Sequence, residues 1–117
     1  MNILQETLND RVVRLAPEGR LDAVTVPLLE TVLDDQFSAG QILLVIDLGE
    51  VSYISSSGLR ALLSARRRAE AKGGDVVLCA MNDRVREVFE MVGFNNLFRI
   101  FSTAAEAAAA LSKHVTT

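Results

Sequence analysis

Apolar residues recur along this chain in two rhythms: short branched runs, and longer stretches with helical spacing. Arg11-Val12-Val13-Arg14-Leu15-Ala16 is a β-rich run stopped by Pro17 and Gly19. Ile3 to Leu8 predicts a strand before it, with Asn9-Asp10 as the turn. Thr25 has the chemistry of a helix N-cap, and Pro27 is tolerated in a first turn. Leu28, Leu29, Val32, Leu33 and Phe37 then recur as one buried stripe, and Gly40 closes the region. Ile42-Leu43-Leu44-Val45-Ile46 is an unbroken apolar run, which predicts a central strand covered on both faces and ended by Asp47. After a loop containing Gly49 comes Tyr53-Ile54, then Ser55-Ser56-Ser57-Gly58. Leu59, Leu62, Leu63 and Ala69 predict a second helix, stopped by Gly73-Gly74. Val76-Val77-Leu78-Cys79 reads as the next buried strand. Val85, Val88, Phe89 and Val92 predict a third helix, capped by Asn82 or Asp83 and closed by Gly93. Leu97 to Phe101 predicts an edge strand, and Thr103 with Glu106 forms a capping box for a last helix carrying Leu111. Ala104 to Ala110 is the one biased stretch, where alanine serves helix propensity.

Strands alternating with helix-length segments predict an α/β fold with a largely parallel or mixed sheet, covered by helices and joined by right-handed crossovers. The length of 117 residues, with no linker or repeat, fits one domain over 1–117. Half of the residues are apolar, enough to build a core without metal or disulfide staples. A net charge of −3 and a pI near 5.1 argue against a dedicated nucleic-acid binder. The sole cysteine, Cys79, lies in an apolar run, cannot form an internal disulfide, and is compatible with a reducing cytoplasm. No signal peptide is visible at Met1–Glu6, and no apolar run is long enough to cross a bilayer.

The serine cluster is the leading site candidate. A serine before a helix caps it by accepting a bond from a backbone N–H, and one cap needs only one serine. A helix start also offers free N–H donors and partial positive charge, which tolerate an added phosphate. Gly58 would let another chain approach the backbone closely. A phosphorylation switch and a plain cap are thus both open readings. Serine hydrolase chemistry needs an activating base, and the only histidine is His114 near the C-terminus. The Gly-x-Ser-x-Gly elbow is absent, because Ile54 stands two before Ser56. Asp22 and Asp47 follow strands, either as turn or capping aspartates or as partner contacts. Arg66-Arg67-Arg68 is a solvated helix face or a contact for an acidic partner. One histidine and one cysteine do not make a metal cluster, and nothing calls for a cofactor.

Taken together, Gly19-Arg20-Leu21-Asp22, Val45-Ile46-Asp47-Leu48, Ser55-Ser56-Ser57-Gly58-Leu59 and the stretch from Val85 to Phe98 resemble the STAS family, specifically the bacterial anti-sigma factor antagonists. The resemblance implies a mixed sheet of four to five strands packed with about four helices. It implies a cytoplasmic protein that acts by binding partners rather than by catalysis, with no cofactor, no direct nucleic-acid contact and no membrane insertion. In that family the dephosphorylated antagonist binds an anti-sigma factor that is also a serine kinase and frees a sigma factor. The kinase phosphorylates the antagonist with ATP, and a PP2C-type phosphatase restores it. The resemblance places the acceptor at Ser56 and an assisting aspartate at Asp22, with Ser55, Ser57, Gly58 and Leu59 as further partner contacts. The family usually carries Asp immediately before the acceptor, where this chain has Ser55. Three adjacent hydroxyls therefore leave Ser55 and Ser57 as alternative acceptors. A non-phosphorylated STAS module, either a scaffold or an accessory subunit of an ABC-type lipid transporter, is the competing function.

Overall fold

The computed structural model describes residues 1–9 and 11–113. Strands β1 (Ile3–Thr7) and β2 (Val12–Pro17) form the expected antiparallel hairpin. Asp10 of the predicted turn lies outside the described residues. The turn is held by Asn9, whose Oδ1 accepts from the Arg11 and Val12 N–H groups at 2.9 and 3.1 Å. The chain continues through β3 (Gly19–Leu21), α1 (Val26–Ser38), β4 (Leu43–Asp47), β5 (Val51–Ile54) and α2 (Ser56–Ala71). It ends with β6 (Asp75–Cys79), α3 (Asp83–Met91), a 3₁₀ turn (Phe94–Asn96), β7 (Ile100–Phe101) and α4 (Ala104–Ser112).

The main sheet has five strands in the order β1-β2-β4-β6-β7, antiparallel only at β1–β2. β4 is central, and its alternate residues serve two cores, as its apolar run predicts. Leu44 and Ile46 face one side, where they meet Leu29, Leu33 and Phe37 of α1, Leu62 and Ala65 of α2, and Phe89 of α3. Leu43 and Val45 face the other, where Val77, Cys79, Ala107 and Leu111 close a smaller core under α4. Four helices and a mixed five-stranded sheet match the expected architecture.

A separate parallel pair, β3–β5, makes a second sheet with Leu21 opposite Ile54. Both strands are absent from the sequence reading, because elements this short show no periodicity. Their inward residues Leu21, Val51 and Ile54 are buried in the larger core, while Arg20, Ser52 and Tyr53 face outward.

Several expectations need correction. Leu28 is not part of the α1 stripe; it is 48% exposed, and Val26 takes its place against the core. Thr25 occupies the N-cap position, but its hydroxyl makes no cap bond. It donates instead to the Arg20 carbonyl at 2.7 Å. Val92 is half-exposed beyond the end of α3, so Val85 and Phe89 anchor that helix in the core with partly buried Val88 packed beside them. The edge strand begins only at Ile100: the chain leaves the 3₁₀ turn through bends at Leu97 and Phe98, and Phe98 turns inward to meet Phe89 edge-on at 6.1 Å. Asn82, not Asp83, caps α3, accepting from the Val85 N–H at 2.8 Å. Thr103 caps α4 by accepting from the Glu106 N–H at 3.1 Å, as expected.

Candidate functional site

β3 and β5 run parallel and end side by side, so the residues that follow them emerge together. The Ser55 N–H donates to the Leu21 carbonyl at 2.9 Å, extending the pairing by one step. Ser55 is still extended (φ −96°, ψ 174°), and helical geometry begins at Ser56. Its Oγ accepts from the Gly58 N–H at 3.2 Å, and its carbonyl accepts from Leu59 at 3.0 Å. Ser55 is therefore the N-cap of α2, and the capping reading holds for this one serine.

Ser56 is exposed on the first turn, and no described residue hydrogen-bonds to its hydroxyl. Ser57 is half-buried. Together with Val26 and Glu30 of α1 and Arg60, Ala61 and Ser64 of α2, it lines an open groove of about 320 Å³. The three hydroxyls thus have three different environments: bonded, free, and recessed.

Gly58 and Leu59 do not present a surface, contrary to the role expected of them. Leu59 is 3% exposed. Gly58 faces inward, where a Cβ would sit 2.8 Å from both the Leu21 carbonyl oxygen and Ile54 Cγ1. The glycine is needed for the helix to rest on its own strands, not for the approach of another chain.

Asp22 leaves the end of β3 beside this turn. Its Oδ1 accepts from the Val24 and Thr25 N–H groups at 3.0 and 3.2 Å, so Asp22 supplies the bonds at the start of α1 that Thr25 does not. Its Oδ2 meets Arg20 Nε at 3.4 Å. Partial desolvation pushes the carboxyl upward, but the two N–H donors and the Arg20 charge outweigh it and hold Asp22 below its ordinary value. Asp22 is therefore a carboxylate at neutral pH. Arg20 in turn stacks over the Tyr53 ring, 4.3 Å from its centroid. Arg20 and Tyr53 escaped sequence reasoning as site residues, since only the β3–β5 pairing places them beside each other.

The remaining candidates lie elsewhere and are engaged structurally. Asp47 Oδ2 pairs with Arg14 at 2.9 Å, and its Oδ1 accepts from the Gly49 N–H at 2.9 Å. Arg66 pairs with Asp75 at 3.3 Å and Arg68 with Asp34 at 2.6 Å, so two of the three arginines in the basic run are committed within the chain. Arg67 is exposed. Cys79 is fully buried, and burial, helped by the Asp47 charge, pushes its thiol up to about 12. His114 lies outside the described residues. Among the described residues no cluster of His, Cys, Asp or Glu has the grouping of a metal site. No described helix is long and apolar enough to cross a membrane.

The chain and its fold have similar counterparts among known proteins. BtrV of Bordetella bronchiseptica is 38% identical over 93 residues, covering 80% of each chain. The anti-sigma-B factor antagonist of Listeria monocytogenes is 32% identical over 88 residues, covering 75% of this chain and 77% of its own. Unphosphorylated SpoIIAA, an anti-sigma factor antagonist, shares the fold with a TM-score of 0.82 at 23% identity, over 97% of this chain and 99% of that one. The phosphorylated form of the Bacillus protein gives 0.73 at 22% identity, over 93% and 98%. The STAS domain model matches residues 4–107. The chain belongs to the STAS domain family.

Proposed function

We propose that this chain, acting as one STAS domain, is an anti-sigma factor antagonist switched at Ser56. The unphosphorylated form binds an anti-sigma factor that is also a serine kinase, and that binding frees a sigma factor. The kinase transfers a phosphoryl group from ATP to the Ser56 oxygen, ADP leaves, and the hydroxyl proton is released. A PP2C-type phosphatase hydrolyses the ester and restores the binding form.

The observation that carries this reading is the contrast among the three serines. Ser56 alone is exposed with an unengaged hydroxyl, on a helix start that already favours negative charge. The phosphate adds a charge of about −1.5 to −2 to the turn. A partner surface fitted to the neutral turn then meets repulsion and a desolvation cost. A loss of about 3 kcal/mol is enough to weaken binding more than a hundredfold. The relatives named as antagonists, and the SpoIIAA fold seen in both phosphorylation states, support the same role.

The test is incubation with the cognate kinase and ATP, followed by mass spectrometry of the serine peptide. One phosphate is expected at Ser56, and Ser56→Ala is expected to incorporate none while remaining bound to the kinase. Undiminished incorporation in Ser56→Ala would move the acceptor to Ser55 or Ser57. Capture of transporter subunits instead of a kinase would replace the whole reading with the accessory-module function.

A further inference from the structure

We propose that Arg60 is the residue that receives a phosphate on Ser56, so that phosphorylation adds an intrahelical clamp to the start of α2. The inference rests on the phosphoswitch reading of Ser56 and adds its internal counter-ion. Ser56 is the first residue of α2, and Arg60 follows four residues later, on the same side of the helix about one turn along. An anion placed four residues before a cation is the favoured order on a helix, because it also agrees with the helix dipole.

The charges around the turn single out Arg60. Arg20 is already held, by the Asp22 carboxylate at 3.4 Å and by the Tyr53 ring at 4.3 Å. Arg60 is exposed, and no ion pair or ring contact engages it among the described residues. It lines the groove between α1 and α2 together with Glu30, but the two make no salt bridge. Its long side chain is therefore free to swing toward the first turn. The cap itself is a neutral serine, so no carboxylate at position 55 competes for the guanidinium. A phosphate at position 56 offers three acceptor oxygens to a planar fork of N–H donors, the geometry in which arginine binds phosphate bidentately.

The clamp has a consequence for the switch. Phosphorylation draws Arg60 out of the groove lined by Ser57, Glu30 and Ser64, and so changes the charge pattern of that groove as well as that of the turn. A partner seated across both would lose a cation at one place and meet a dianion at another.

The experiment uses the full chain with phosphoserine installed at position 56 during translation, so no kinase is needed. The second phosphate ionisation is followed by phosphorus NMR. In the unsubstituted protein it is expected to fall below that of the Arg60→Gln variant by about 0.5, roughly a threefold change in protonation at fixed pH. Arg60→Lys should recover part of the difference, since it keeps the charge and loses the fork. Arg67→Gln, on the same helix but well removed from the turn, should match the unsubstituted protein. Equal titration with and without Arg60 would overturn the clamp, as would an equal effect from Arg67→Gln. Either result leaves phosphorylation of Ser56 itself intact. A kinase that fails to modify Ser56 would, conversely, leave the phosphate titration unaffected.

Discussion

Ser55 and Ser56 are the same residue type on adjacent positions, and their hydroxyls serve opposite ends. The Ser55 oxygen is consumed by the Gly58 N–H, whereas the Ser56 oxygen faces solvent. Removing each should therefore cost different things. Ser55→Ala is expected to lower stability by about 1 kcal/mol through loss of the cap. Ser56→Ala should stay within about 0.5 kcal/mol, as an exposed substitution does, while abolishing phosphate incorporation. Urea unfolding of the two variants beside the unsubstituted chain reads both values. Ser55 makes its cap bond without adding a charge to the helix start. The sequence shows three hydroxyls in a row and nothing that ranks them. Their ranking comes from φ and ψ at Ser55 and from the α1–α2 groove beside Ser57, neither of which a string of identical residues encodes.

At the scale of elements, α2 is positioned by how closely it rests on β3 and β5. Gly58 is the contact, with the Leu21 carbonyl and Ile54 filling the space a side chain would need. Gly58→Ala is expected to cost about 1–3 kcal/mol, because the obstruction is backbone on one side and a fully packed residue on the other. A calorimetric melt of that variant should show the loss. It should exceed that of Arg67→Gly, an exposed position on the same helix whose main effect is helix propensity, about 1 kcal/mol. The helices and the long strands were legible in the sequence because their apolar residues repeat often enough to show a period. Leu29, Leu33 and Phe37 mark α1, and Leu43 to Ile46 mark the doubly covered β4. β3 and β5 were illegible because three or four residues cannot show one, while β7 was legible in place but drawn three residues too long. The α1 start was legible in place but not in chemistry. Asp22 and Thr25 both carry suitable oxygens, and only the path of the chain after β3 decides that Asp22 makes the bonds.

The molecule as a whole places its one thiol where solvent does not reach. Cys79 lies in the smaller core between the sheet and α4, with Asp47 at the end of β4 and Arg14 within β2 nearby. Its pKa is raised from an ordinary value of 9.0 to about 12, so the folded chain keeps a proton that the unfolded chain gives up. Between those two values the unfolded state binds fewer protons, and stability must fall as pH rises. The contribution is complete below about pH 9 and is lost progressively toward pH 12. Cys79→Ala should flatten this alkaline decline, which denaturant titration at several pH values would detect. A maleimide reagent should label the native chain only as fast as the α4 face opens, and labelling should accelerate with urea.

The β3–β5 ribbon gives this architecture an evolutionary latitude. Its inward side chains are fixed by the main core, yet its outward ones, Arg20 and Tyr53, together with Val24 and Ser56, lie outside that core. Duplicated copies of such a gene can therefore diverge in the company they keep by rewriting a handful of exposed letters. The buried five-stranded framework, and with it the ability to fold, passes unaltered from one copy to the next.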